Sequence, residues 1–220
     1  MIRVEHLTKY YGERLAVDNI SFDIAKGEIV GLLGPNAAGK TTTMRMLTGF
    51  LMPTKGDAYV DDCNMLTNSL EGRRLIGYMP ESTPLYMDMT VRDYLTFFGR
   101  LRGLSAKYTR TRIDEVVELC NLEEYIDVIL GKLSRGFKQR VNVAQAIIHN
   151  PKVLILDEPT VGIDPIQVAQ TRNLIKALGK EHTVLISTHI LPEVSVICSR
   201  VIIIHRGKIV AEDNIENLSA

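Results

Sequence analysis

The hydrophobic pattern of this chain changes character several times. In residues 1–24 apolar and polar positions alternate over short stretches, MIRVEH and then VDNISFDI, which predicts strands. No helical period separates them, so an antiparallel sheet is expected at the N-terminal edge. EIVGLLG is a near-continuous apolar run ended by glycine, the pattern of a strand buried on both faces. GKTTTMRMLTG then reads as a helix and GDAYVDD as a further strand.

From about Met87 to Asn150 the period becomes helical. VRDYLTFFGRLRG and RIDEVVELC carry apolar residues at i, i+3 and i+4, and Ile113, Val116, Val117 and Cys120 share one face. Such a stripe belongs in a core. Afterwards strands and helices alternate again. KVLILDE is a strand, and DPIQVAQTRNLIKALGKE is a helix with Asp164 as its cap and Pro165 in its first turn. HTVLIST is a strand, followed by a short helix from about Leu191 to Ser199. RVIIIHRGKIVAED reads as a hairpin turning at Arg206-Gly207. The expected fold class is α/β with a mostly parallel sheet. It has an N-terminal antiparallel β-subdomain and an inserted α-helical subdomain at about 87–150, all within one domain spanning 1–220.

The length of 220 residues and 45% hydrophobic content are enough for a real core. Lysine plus arginine equals aspartate plus glutamate at 26 each. That balance argues against a strongly basic nucleic-acid binder, so no nucleic-acid partner is expected. Cys63, Cys120 and Cys198 form no Cys-x-x-Cys pair, which disfavours zinc and a disulfide framework and suits free thiols in a reducing cytoplasm. The N-terminus is charged and alternating, unlike a signal peptide. The longest apolar runs, such as Val201 to Ile204, fall far short of the roughly 18–20 residues that span a bilayer. Any membrane role must come through a partner.

GPNAAGKTT, Gly34 to Thr42, fits G-x-x-x-x-G-K-[ST] between a predicted strand and a predicted helix. Gly34, Pro35, Asn36, Ala37, Ala38 and Gly39 form a loop whose backbone N–H groups wrap phosphates, helped by the helix N-terminus. Lys40 reaches the β- and γ-phosphates, Thr41 ligates Mg²⁺ through its hydroxyl, and Thr42 sits by the α-phosphate. A structural glycine turn is the bland alternative. It does not account for the strand and helix both being in place.

VLILDE puts Asp157 and Glu158 at the C-terminal end of a buried strand, where open α/β sheets bind ligands. Adjacent carboxylates suit a division of labour. Asp157 holds the Mg²⁺ shell, and Glu158 orients and polarises the attacking water. An exposed acidic pair at a strand end is common, and only the phosphate loop upstream favours the functional reading. His189, after LIST at another strand end, is placed to hydrogen-bond the same γ-phosphate. A lone histidine is as often structural.

These residues resemble the ATP-binding cassette ATPases, the nucleotide-binding subunits of ABC transporters. The resemblance covers essentially the whole chain. In order come the Walker A loop GPNAAGKTT, a Q-loop region IGYMPE, a signature region LSRGFKQR, Walker B VLILDE, a D-loop VGIDP and an H-loop STHIL. The resemblance implies a P-loop NTPase core of the ABC type, with ATP and Mg²⁺ as ligands and Lys40, Glu158 and His189 as catalytic residues. It implies that Tyr11, in KYYGE, stacks on adenine. It also implies that two ATPase subunits pack head to tail, two copies of this chain or this chain with a different ATPase subunit, so that Ser134 and Gly136 of one face the ATP held by the other. In that reading Ser134 caps a helix aimed at the partner's γ-phosphate and Gly136 allows close approach.

The chain departs from the family pattern in places. Arg135 and Phe137 replace glycine and glutamine of the usual Leu-Ser-Gly-Gly-Gln. Arg135 either adds charge near phosphate or points to solvent. Ala37 stands where glycine is common, needing φ below zero or a small strain. Glu81 replaces the Q-loop glutamine. It can still ligate Mg²⁺ but cannot donate a hydrogen bond when ionised. The stretch from Tyr78 to Gly103 looks like ATPases that partner separate membrane-spanning permeases in drug, lipid or polysaccharide export. That implies a cytoplasmic subunit, peripheral on the inner face of the membrane, with Leu85, Tyr86 and Met87 at the docking segment or packed on their own subdomain. The alternatives are a soluble ABC ATPase acting on ribosomes or DNA, and a nucleotide-binding regulator without turnover.

Overall fold

The protein is described by a computed structural model covering residues 1–82 and 84–218. The elements are β1 (Ile2–Tyr11), β2 (Arg14–Ile24), β3 (Ile29–Leu33), α1 (Lys40–Leu47), β4 (Lys55–Val60), β5 (Cys63–Asn64), α2 (Ser69–Arg74) and β6 (Ile76–Met79). Then follow α3 (Val91–Leu101), α4 (Ala106–Leu119), α5 (Arg135–Ile147), β7 (Val153–Asp157) and α6 (Pro165–Leu178). Last come β8 (Thr183–Thr188), α7 (Leu191–Ile197), β9 (Arg200–His205), β10 (Lys208–Asn214) and α8 (Ile215–Leu218).

Two sheets result. The smaller has the order β2-β1-β4-β5, with antiparallel pairs throughout. The larger has the order β10-β9-β3-β8-β7-β6 and is parallel except for the β9–β10 hairpin. Arg206 and Gly207 both have positive φ at the hairpin turn, as a two-residue turn matching strand twist requires. β1 and β2 are longer than their alternation predicts. Their pairing shifts register between Val4 and Leu7, and His6 takes a positive φ. An irregularity there breaks the two-residue period and hides the length of the strand.

β7 explains how the continuous apolar runs are used. Leu154 and Leu156 pack into the core shared with α3, α4, α5 and α6. Val153 and Ile155 face the opposite core, with Val30 and Leu32 of β3, Met44 of α1 and the small sheet. A strand covered on both faces needs no polar positions. The helices begin where their caps dictate. The Thr90 hydroxyl accepts from Asp93 N, the Ser105 hydroxyl from Tyr108 N, and Asp164 Oδ1 from both Ile166 N and Gln167 N, with Pro165 in the first turn of α6. Ile113, Val116, Val117 and Cys120 are all buried in one core.

Candidate active site

The carboxyl ends of three neighbouring parallel strands, β3, β8 and β7, converge. β3 delivers the loop before α1, β7 ends on Asp157, and β8 ends at Thr188, directly before His189. One cavity of about 510 Å³ opens there. It is lined by Tyr11, Asn36 to Thr42, Glu81 and Glu158, together with Arg14, Leu15, Ala16 and Arg206. The volume suits a nucleotide-sized ligand.

The loop is held by strain and by contact. Gly39 has φ +111°, and a Cβ there would come 2.8 Å from Ala16 O. Ala37 has φ 62°, so of the two conformations open to it the strained one is taken. Lys40 is almost fully buried. Its ammonium donates to Gly34 O at 2.7 Å and Pro35 O at 3.1 Å, and lies 3.2 Å from Glu158 Oε1. These contacts place the charge at the floor of the cavity.

Asp157 is buried. Its carboxylate lies against the hydroxyls of Ser187 and Thr41. Burial pushes its pKa above the ordinary carboxylate value, which the two hydroxyls oppose and the neighbouring Glu158 reinforces. The Tyr78 phenol is raised to about 12 by burial and by the charge of Asp157. Glu158 is itself at φ 51°, and its N–H donates to Ser187 Oγ at 3.0 Å. His189 Nδ1 lies 3.0 Å from Glu158 Oε2. Asp157 Oδ2 and Glu158 Oε1 are buried without a hydrogen-bond partner. Hydroxyl and carboxylate oxygens, with Asp157 Oδ2 unpaired and Glu158 Oε1 facing only the Lys40 ammonium, fit a hard divalent cation such as Mg²⁺. No cluster of three His, Cys, Asp or Glu is found among the described residues. Such a cation would therefore rely on phosphate oxygens and water for most of its ligands.

Ser134 and Gly136 do not join this cavity. Ser134 caps α5, its hydroxyl accepting from Phe137 N at 3.4 Å. A Cβ on Gly136 would come 1.2 Å from Gln167 Oε1, so within the chain the glycine leaves room for the Gln167 carboxamide, which comes from the first turn of α6. Arg135 lies over Gly162, whose added Cβ would meet Arg135 Cζ at 2.2 Å. Phe137 stacks on Tyr125 with ring centroids 3.9 Å apart. In the stretch after Glu81, Leu85 packs on the core while Tyr86 and Met87 are exposed; Thr83 lies outside the described residues.

Arg14, Leu15, Ala16, Arg206 and Ser187 escape sequence reasoning. The first three sit on β2 and Arg206 in the β9–β10 turn, both distant in the chain from the loop they join. Ser187 could have been found, since it stands at the end of a buried strand two residues before His189.

A family profile described as "ABC transporter" matches residues 17–161. The bacitracin transport ATP-binding protein BcrA of Bacillus licheniformis is 40% identical over 220 residues, covering 99% of this chain and 71% of that protein. The Nod factor export ATP-binding protein I of Paraburkholderia xenovorans (strain LB400) is 39% identical over 216 residues, covering 96% of this chain and 70% of that protein. Among solved structures, the dimeric post-hydrolysis state of the ATP-binding cassette MJ0796 bound to ADP and Pi superposes with a TM-score of 0.88. It is 26% identical and covers 98% of this chain and 99% of that one.

Proposed function

The chain belongs to the ABC transporter family as its ATP-binding subunit, and on that premise we propose that it hydrolyses ATP between two head-to-tail copies to drive export through a separate membrane-spanning permease. ATP binding and ATPase activity follow from the family. The observation that carries the rest is the convergence of phosphate loop, adjacent carboxylates and histidine at three neighbouring strand ends.

The chemistry assigned to each residue follows from its place. Tyr11 offers an exposed aromatic face at the cavity rim for the adenine. The loop from Gly34 to Thr42 cradles the phosphates through its backbone N–H groups from Asn36 onward and the start of α1. Lys40 neutralises the β- and γ-phosphates. Glu158, held by His189, orients a water for in-line attack on the γ-phosphate. Thr41 and Asp157, with Glu81 on the cavity wall, would hold Mg²⁺, which when bound supplies charge to the developing phosphate oxygens. Ser134 and Gly136 complete the partner copy's site from the N-terminus of α5.

The relative named for Nod factor export supports the export direction. No helix among the described residues is long and apolar enough to cross a membrane. On the transporter reading, we assign the subunit to the inner face of the membrane, held there by the permease, with Tyr86 and Met87 exposed for contact. The test is capture of tagged chain from detergent-solubilised membranes, with mass spectrometry of what accompanies it. A polytopic membrane protein is expected. Ribosomal or DNA-repair proteins without one would contradict the reading.

A further inference from the structure

Glu193 is a buried carboxylate that the hydrolytic scheme does not use. It lies on α7, is 4% exposed, and does not line the nucleotide cavity. Its Oε2 accepts hydrogen bonds from Thr160 Oγ1 at 2.7 Å and from Thr188 Oγ1 at 2.9 Å. Its Oε1 lies 3.9 Å from Arg172 Nη2 on α6. Both threonines flank the reacting pair. Thr160 is the second residue after Glu158, and Thr188 directly precedes His189. The Thr188 hydroxyl also accepts from Ile190 N at 3.1 Å, so it grips the backbone on both sides of His189.

These contacts close a ring. At the front, Glu158 and His189 pair at 3.0 Å. At the back, one carboxylate ties together the segments that carry them. Packing alone does not call for a charge here, because an apolar side chain of similar volume would fill the place without the cost of desolvating a carboxylate. What the charge adds is two directed, charge-assisted hydrogen bonds, each to a hydroxyl beside a reacting residue. Glu158 needs such support, since its left-handed backbone persists only where the surroundings over-determine it.

We infer that Glu193 is a positioning residue for hydrolysis: through Thr160 and Thr188 it fixes the Glu158–His189 pair and so the direction in which Glu158 faces its water. The inference rests on the roles proposed above for Glu158 and His189. Its effect belongs to turnover and not to nucleotide affinity.

The test is steady-state and single-turnover ATP hydrolysis by Glu193→Ala, Glu193→Gln and Thr160→Val, with ATP binding measured by equilibrium titration and folding by circular dichroism. Expected is a fall in kcat of roughly tenfold to a hundredfold, the range seen when groups supporting a reacting ligand are removed. Affinity for ATP should stay within about twofold. In a His189→Ala background, Glu193→Ala should slow single turnover by less than it does alone, because its hold on His189 through Thr188 no longer counts while its hold on Glu158 through Thr160 remains. Thr160→Val keeps the side-chain shape and serves if Glu193→Ala does not fold. Unchanged kcat in folded Glu193→Ala or Thr160→Val would overturn the inference. So would full additivity with His189→Ala. Normal turnover by Glu158→Gln would instead sink the underlying reading of the site.

Discussion

The ammonium of Lys40 lies 3.2 Å from Glu158 Oε1, with both side chains 6% exposed. The residue expected to neutralise phosphate thus faces the residue expected to direct water at it. Removing one member leaves the other's charge buried. Lys40→Ala should therefore destabilise the protein by about 1–3 kcal/mol without nucleotide. Lys40→Ala combined with Glu158→Gln should recover part of that loss. Urea denaturation of the single and double variants measures both, and additive losses would count against the pairing.

Asp157 should set function against stability. Burial raises its carboxyl pKa, so the folded protein holds the proton to higher pH than the unfolded chain does. Its contribution to stability therefore falls as pH rises through the window above 3.8, and at neutral pH the ionised form is a net cost. Asp157→Asn should raise Tm at pH 7.5 in EDTA, by roughly 2–4 °C for each kcal/mol relieved, and abolish Mg²⁺-dependent hydrolysis. The Tm gain should vanish at acid pH. A lower Tm for Asp157→Asn would contradict the electrostatic account.

How far the sequence revealed this arrangement depends on the range of each determinant. Asp164 and Pro165 mark the start of α6 because capping is local, and the cap contacts are present. The two-faced burial of β7 is likewise written in VLILD. β6 and α2, four and six residues long, are too short for a period to show. At the site, the phosphate loop, Asp157-Glu158 and His189 are legible as motifs. Arg206 and Glu193 are not, because what places them is tertiary: a hairpin folded back on the loop, and a short helix turned toward two threonines.

Gly162 predicts a local backbone cost. It has φ +73°, and an added Cβ would meet only the movable guanidinium of Arg135, at 2.2 Å from Cζ. Gly162→Ala should therefore cost about 1–2 kcal/mol from the backbone conformation. Arg135→Ala should leave that cost nearly unchanged, because the guanidinium can swing aside. Chemical denaturation of the four proteins of the cycle reads the difference. No loss for Gly162→Ala would contradict the left-handed backbone at this position.

His149 predicts acid sensitivity. Burial first, then the positive field of Arg102, lowers its pKa to about 4, while Ile76 O within hydrogen-bond reach acts the other way. As pH falls from 6.5 towards 4 the unfolded chain takes up a proton that the folded protein refuses, so stability is lost over that window, by up to about 3 kcal/mol. His182, also lowered by burial, adds loss of the same sign. His149→Gln should flatten the stability–pH curve between 6.5 and 4 without abolishing its slope. An unchanged slope would refute the assignment.

Glu158→Gln tests the central claim most directly. The variant keeps the size of the side chain and removes the charge that directs water. In saturating Mg-ATP, phosphate release should fall by roughly 10²–10⁴-fold, and size-exclusion chromatography should show a species of twice the chain mass carrying bound ATP. A protein that elutes only as monomer, or that hydrolyses ATP at the unmodified rate, would contradict a shared site worked by Glu158.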